Sequence, residues 1–208
     1  YQSAGFLIST MGGIVMKQIV IEQEKEPLKN PLVNDMYRLR HETFIGRLDW
    51  EINSIDGMER DQFDDLLPYH IAVQNKQGGI DGCWRALPTT GDYMLKDVFP
   101  ELLQGEQAPQ QSEVWEISRF AVRRGTADQY KGMMSEVTVA MVRSFLELAQ
   151  QKNIRAYVAV TTVACERLLR QLGVSLRRMG NGRALQVGKE RSVALWIEVN
   201  DQLDIRTH

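Results

Sequence analysis

A chain of 208 residues, 43% hydrophobic and 25% charged, is long enough to bury a core and reads as one domain. Its formal charge of -2 excludes bulk attraction to nucleic acid or to a membrane surface, and no apolar run reaches the roughly 18–20 residues of a span. Two cysteines without a CxxC spacing and three histidines without ligand spacing exclude a disulfide framework and a zinc site, and point to the cytoplasm.

In chain order, residues 1–15 read as an added leader or an extended N-terminus, with Met11 or Met16 as the natural start. They are set aside, and residues 16–208 are expected to form a single domain. Lys17 to Glu22 is rich in β-formers and reads as a first strand. Asn30-Pro31 opens a helix, with Asn as cap and Pro at the first position, that runs to about Leu48. Leu32, Met36, Leu39, Thr43 and Phe44 recur at helical spacing along its buried side, and Arg40 shares a face with Phe44. Asp49 to Pro68 is long, polar and aperiodic, a kind of segment that is often functional.

Tyr69 to Asn75 and Ile80 to Leu87 read as paired strands around a turn, and Met94 to Leu103 as a short helix. Val114 to Val122 is a strong strand. Its alternation places Trp115, Ile117, Arg119 and Ala121 on one face and Glu116, Ser118 and Phe120 on the other. Tyr130 to Lys152 is the longest helical pattern, with Met133, Met134, Val137, Met141, Phe145 and Leu148 inward. Ile154 to Thr161 is an apolar strand, and Val163 to Leu172 a helix stopped by Gly173. Three strands follow: Val174 to Arg178, Arg183 to Val187 and Val193 to Val199. The order predicts an α/β fold, a single-domain mixed β-sheet with flanking helices.

Charge is uneven along this frame. Leu48 to Asp65 is acidic, while Arg119 to Lys131 and Arg167 to Arg191 are basic. Asp61 and Asp64, three apart, would point the same way from a helical turn and suit a cation; the alternative is a solvated acidic turn. Arg85 and Arg119 lie inside apolar strands, where a guanidinium needs a carboxylate, from the protein in a structural pair or from a zwitterionic ligand. Glu116, on a largely apolar strand, would be desolvated towards use as a general base, or else is an edge glutamate. Cys83 and Cys165 read as packing residues. No nucleophile elbow, GxGxxG or Walker motif occurs. Met141 and its neighbours fill the core or line a wall for an acyl chain.

Several blocks, in order, resemble one family. They are Arg40-His41-Glu42-Thr43-Phe44 followed by Trp50, then Glu59-x-Asp61-Gln62-Phe63-Asp64, then Gly82-Cys83-Trp84-Arg85-Ala86-Leu87-Pro88. Tyr93-Met94-Leu95-x-x-Val98-Phe99-Pro100 and Trp115-Glu116-Ile117-Ser118-Arg119-Phe120 follow. Together they are similar to the N-terminal and central signature of the acyl-homoserine-lactone synthases, over roughly Ile19 to Arg170; the C-terminal third matches loosely.

The resemblance implies a fold similar to GNAT acyltransferases. It implies acylation of the amine of S-adenosylmethionine by an acyl-(acyl carrier protein) thioester, or by acyl-CoA, and then lactonisation with release of methylthioadenosine. S-adenosylmethionine is a substrate, and no cofactor or metal is implied. Arg40, Phe44, Trp50, Asp61, Asp64 and Arg119 are then expected to hold it, with Glu116 as base and Ser118 orienting a water or the thioester. Phe99 and Phe120 would wall the pocket and Arg85 would support the acidic pair. Met141, Thr161 and Thr162 would face the acyl chain, with a threonine there favouring a 3-oxo group. An acidic carrier protein would dock on Arg123, Arg124, Lys131, Arg167, Arg170, Arg177 and Arg178. Two alternatives are a GNAT-type N-acetyltransferase using acetyl-CoA, disfavoured by the poor phosphate-loop match at Val122 to Tyr130, and a non-catalytic module that binds an acyl group or a signal.

Overall fold

The structure, a computed structural model, describes residues 5–11, 14–22, 26–50, 52–123 and 136–199. In chain order these form β1 (Gly5–Met11), β2 (Ile14–Glu22), α1 (Pro31–His41), β3 (Ser54–Ile55), β4 (Met58–Glu59), β5 (Tyr69–Gln74), β6 (Ile80–Pro88) and α2 (Met94–Asp97). Then come β7 (Val114–Val122), α3 (Glu136–Lys152), β8 (Ala156–Thr162), α4 (Val163–Gln171), β9 (Leu176–Arg178), β10 (Leu185–Val187) and β11 (Glu190–Glu198). The chain divides into two compact units, one gathered around Arg119–Ser144 and the residues up to Arg85, the other around Ala86–Ser118 and the residues from Phe145 on.

In the first unit the strand order is β1-β2-β5-β6-β7. β1 runs antiparallel to β2, Gly5 opposite Val20 and Met11 opposite Ile14. The segment set aside by the sequence reading therefore carries backbone structure. β2 pairs antiparallel with β5, Glu22 opposite Tyr69. α1 starts as expected: the Asn30 side chain accepts from the Leu32 amide at 3.0 Å, and Pro31 needs no such partner. It stops at His41, sooner than expected, and Glu42–Arg47 continue as one wide π turn. The extra residue in that turn lets Thr43 and Phe44 both turn inward, each 4% exposed. Val33, Met36, Tyr37, Leu39 and Phe44 pack with Ile21, Ala72, Ile80, Cys83 and Ala121 as the core of this unit.

The aperiodic stretch contains structure that its sequence signalled weakly. β3 and β4 form a hairpin whose turn residues, Asp56 and Gly57, have φ of 54° and 70°, the left-handed pair that a tight hairpin requires. Beyond it, Gln62–Asp65 form a 3-10 turn.

β6 is buried from Ile80 to Leu87. At Gly82 a Cβ would lie 2.8 Å from Val137 Cγ1 and 3.0 Å from Met141 Sδ, so glycine is what lets α3 approach this strand. Gly82→Ala is expected to cost about 1–3 kcal/mol through overpacking, read as a lower urea midpoint at unchanged slope.

In the second unit the order is β7-β8-β11-β10, with β9 on β11. β7 and β8 are parallel, Val114 opposite Ala156 and Ile117 opposite Ala159. A parallel neighbour needs a crossover, and α3 lies in that connection. β11 is antiparallel to β8 along its length. Thr162 caps α4 by accepting from the Cys165 amide at 3.2 Å, and Gly173 ends that helix region with φ of 85°. The helix expected over Met94 to Leu103 is broken: α2 gives way at Phe99 to a separate 3-10 turn, Pro100–Leu103. The proline at 100 disfavours helical backbone at Phe99 and supplies no N–H. Tyr93, Leu95, Leu102, Val114, Ala156, Val158, Met179 and Ala194 form the core of this unit. The fold class is the expected one, mixed α/β with a mixed sheet and flanking helices. Met133, Met134, Arg124 and Lys131, and the start of the long helix expected at Tyr130, lie outside the described residues.

Candidate active site

Six charged side chains of the first unit form a closed ring of alternating sign. Arg40 Nε donates to Glu59 at 2.5 Å, and its two Nη atoms grip Asp64 at 2.8 Å each. Arg85 donates to Asp64 at 2.9 Å and to Asp61 at 2.5 Å. Arg119 closes the circuit, meeting Asp61 at 2.7 Å and Glu59 at 3.0 Å. The order is Arg40–Glu59–Arg119–Asp61–Arg85–Asp64 and back to Arg40. Three guanidiniums and three carboxylates sum to zero charge, so the cluster tolerates burial that none of its members would survive alone.

Local sequence places the acids. Asp61 caps the 3-10 turn by accepting from the Phe63 amide at 2.9 Å, and Asp64 reaches back to the Asp61 amide at 2.9 Å. This reciprocal capping box holds the two carboxylates side by side. Arg119 is placed by its backbone: its φ is 55°, a left-handed conformation. The regular alternation expected along β7 therefore fails at Arg119, and both faces of the strand are buried from Val114 to Ile117. Left-handed backbone at a non-glycine residue is strained and is often retained where a side chain must be aimed.

Aromatic rings flank the ring of charges. The Arg119 guanidinium lies 5.5 Å from the Phe44 centroid, Arg85 lies 5.6 Å from Phe63, and Arg40 lies 5.1 Å from Tyr37. Phe44 and Trp50 stack on each other at 5.0 Å, so one face of each is already used. At the π turn a cavity of about 390 Å³ is lined by Leu39, His41, Glu42, Thr43, Gly46, Arg47, Val122 and Arg123.

Burial and charge act against each other across the cluster. Burial opposes the charge of Asp64, yet the guanidiniums of Arg40 and Arg85 hold its carboxyl well below the usual range. Burial likewise disfavours the cationic forms of Arg40 and Arg85, and the facing carboxylates overcome it and raise both. At Arg119 burial wins, and its value is lowered. His70, 4% exposed on β5 with Nε2 3.9 Å from Asp64, is pushed by burial down to about 3 and stays neutral. Burial pushes the Cys83 thiol up to about 12, which leaves it a packing group.

His70 has a consequence for stability. From its ordinary 6.5 down to about 3, the unfolded chain binds a proton at this position that the native chain does not. Native stability must therefore fall with pH across that window, by about 1.4 kcal/mol per unit from this group. Urea midpoints taken between about pH 6.5 and pH 4.5 should show that slope. His70→Gln should flatten it; an unchanged slope in the variant would assign the loss to other groups.

Glu59 and His70 are the site residues that sequence reasoning did not assign. Glu59 is fully buried and serves two arginines. The signal for it was arithmetic: three arginines set in apolar segments need three acids, and Glu59 stands two residues before Asp61.

The other candidates belong to the second unit, apart from Phe120, half-buried on β7, and Met141. Glu116 is 1% exposed and accepts from the amides of Met94 at 2.9 Å and Leu95 at 2.7 Å, so it holds the start of α2. Ser118 is half-buried, and Phe99 packs against the core of that unit. The Thr162 hydroxyl is engaged as a helix cap, and Thr161 is half-buried beside it. Met141 has no exposed surface and fills the space a side chain at Gly82 would need.

Several arginines considered for docking are paired. Arg170 and Arg178 both meet Glu166, Arg177 meets Glu106, and Arg123 meets Glu42. Arg167 is exposed on α4. Among the described residues, no group of three or more His, Cys, Asp or Glu side chains could hold a metal ion, and no helix is long and apolar enough to cross a membrane.

A ring of arginines and carboxylates beside an aromatic pair has the chemistry to meet a small ligand that carries charges of both signs. Comparison with known proteins gives the family. The autoinducer synthase family model matches residues 24–206. An acyl-homoserine-lactone synthase of Vibrio anguillarum is 42% identical over 166 residues, 80% of this chain and 86% of that protein. The crystal structure of the AHL synthase LasI is 38% identical with a TM-score of 0.81, over 94% of this chain and 96% of that one. TofI, solved in a ternary complex with an inhibitor and MTA, is 31% identical with a TM-score of 0.76, over 91% and 97%. A CoA-dependent acyl-homoserine lactone synthase, MesI, is 27% identical with a TM-score of 0.73, over 88% and 89%. In fold alone the chain is also similar to a Lactobacillus plantarum protein assigned as an N-acetyltransferase, at 13% identity and a TM-score of 0.58 over 89% and 99%. The chain belongs to the autoinducer synthase family, the acyl-homoserine-lactone synthases.

Proposed function

We propose that this enzyme acylates the α-amine of S-adenosylmethionine from an acyl-(acyl carrier protein) thioester and lactonises the product. The observation that carries the reading is the alternating ring with the stacked Phe44–Trp50 pair beside Arg119. S-adenosylmethionine brings an ammonium, a sulfonium, a carboxylate and an adenosine, and this set offers acids, arginines and aromatic faces to match.

In the first step the free amine attacks the thioester carbonyl. A C–N bond forms, the C–S bond breaks, and the carrier leaves as a thiol. In the second, a carboxylate oxygen attacks the carbon bonded to the sulfonium. A C–O bond forms, and the C–S electron pair leaves with neutral methylthioadenosine. Glu116 accepts the amine proton, directly or through a water. Ser118 orients that water or the thioester, Phe99 walls the pocket, and Thr161 and Thr162 border the acyl chain, with an oxygen-bearing 3-position preferred. The exposed Arg167 carries the docking of the acidic carrier, and the reaction takes place in the cytoplasm. An acyl-CoA donor is the second reading, favoured by the likeness to CoA-dependent MesI.

Incubation with S-adenosylmethionine and a panel of acyl-carrier or acyl-CoA thioesters decides between them. Methylthioadenosine release with a lactone detected by mass spectrometry is the expected result, fastest with the carrier-bound thioester. Turnover only with acyl-CoA would select the second donor. No methylthioadenosine with any donor would overturn both.

A further inference from the structure

β1 is an edge of a kind that folded chains usually guard against. Its inner side pairs with β2 along the whole strand, from Gly5 opposite Val20 to Met11 opposite Ile14. No other described strand pairs with it, so its outer side presents a row of amide and carbonyl groups. Exposed edges are commonly blunted by charged side chains, by proline or by short length. β1 has none of these. Gly5-Phe6-Leu7-Ile8-Ser9-Thr10-Met11 carries no charge and no proline, and the first charged side chain of the sequence is Lys17. The second unit treats its own edge differently. There β9 and β10 are three residues each, β9 contains Arg177 and Arg178, and the left-handed glycines Gly180 and Gly182 lie between them. The match to the autoinducer synthase family begins at residue 24, after β1 and β2. The shared chemistry therefore does not account for β1.

We propose that β1 is a self-association edge, on which a second copy of this chain pairs antiparallel through its own β1. The occupant follows from the strand's composition and from symmetry. An edge without charge offers nothing to select an acidic or basic partner, and nothing that repels its own copy. A two-fold axis through Ile8 sets Gly5 of one copy opposite Met11 of the other, and Ile8 opposite Ile8. Both strands then pair over their full length, with about six to eight new backbone hydrogen bonds. The contact is the same on both copies, so it closes at two and leaves no further β1 edge. Arg40, Glu59, Asp61, Asp64, Arg85 and Arg119 all lie outside β1 and β2, so the pairing extends the sheet without touching the ring of charges.

Sedimentation equilibrium of the full chain across about 1–100 μM tests this. The native chain is expected to pass from monomer to dimer as concentration rises. Ile8→Lys sets two like charges opposite each other at the axis and should weaken dimerisation by at least about tenfold; Ile8→Glu should do the same. An equimolar mixture of the two variants should recover dimers of mixed composition, because lysine then faces glutamate. Unchanged far-UV circular dichroism reports that both variants fold. A native chain that stays monomeric, dimers that neither variant weakens, or a mixture that recovers none would each overturn the proposal. Hydrogen exchange of the native chain needs no variant. Alternate amides of β1, those on its outer side, should exchange more slowly at the dimeric concentration. Exchange along β1 that is the same at both ends of the concentration range would overturn it equally.

Discussion

Arg40→Met is expected to destabilise the chain by about 3–5 kcal/mol, the largest single loss among the ring positions. The variant keeps the bulk of the side chain in α1 but removes the partner of two carboxylates at once, Glu59 at 2.5 Å and Asp64 at 2.8 Å. Both are shut away from water, so neither can be rehydrated where it stands. Asp64 would retain Arg85, and Glu59 would retain Arg119, in a ring left with a net negative charge. Urea unfolding followed by tryptophan fluorescence should show a lower midpoint at unchanged slope. Asp61→Asn, at the wetter link, should cost only about 1–2 kcal/mol. If Arg40→Met cost less than that, the six charges would not be acting as one buried set.

Glu116→Gln is expected to lower turnover by about 10²- to 10⁴-fold with little change in the Michaelis constant for S-adenosylmethionine. Two roles compete at this residue. As a proton acceptor it matters to the rate of acyl transfer; as the cap of α2 it matters to local order. The glutamine keeps one carbonyl oxygen for an α2 amide, and its NH₂ opposes the other, a local cost of about 1–2 kcal/mol. The pH profile separates the roles. Without its base, the variant should gain rate steadily as pH rises and the substrate amine loses its own proton. A cap role alone would leave the shape of the profile intact, and rate would fall only as far as the folded fraction fell. Glu116→Asp keeps the charge but shortens the reach to α2, and should recover part of the rate at the expense of stability.

The parts of this protein that were legible in sequence are those with local causes. Asn30-Pro31 marked the start of α1 because capping is settled within three residues. β5, β6 and β7 were legible from alternation and turn chemistry, their ends falling within a residue of expectation. Three other features had causes that a linear pattern does not carry. Arg119 was placed on a face by alternation, but its backbone is left-handed and its side chain pairs across the unit with Asp61 and Glu59. Glu116 was read as a lone carboxylate on an apolar strand, and its two amide donors belong to a helix 21 and 22 residues earlier. The Asp56-Gly57 turn was a local signal left unused, hidden in a segment whose flanks are too short and polar to read as strands. Block order along the chain, which no single residue supplied, joined Arg40, Asp61, Asp64, Arg85 and Arg119 as a group. The geometry added Glu59 and turned the group into a circuit.

The links of that circuit are of unequal reach along the chain: 19 residues from Arg40 to Glu59, 24 to Asp64, and 60 from Glu59 to Arg119. A contact that closes a long loop pays its chain entropy before it gains anything, so the short links can form early and the Arg119 links must wait for β7 to settle. Until then an acidic excess stands on the folding chain. Arrival of β7 in its proper register cancels it. Arrival displaced by one residue would aim the Arg119 side chain away and leave Glu59 and Asp61 each short of a partner. The charges of the ring therefore act as a check on strand register, admitting one arrangement of β7 and penalising its near neighbours.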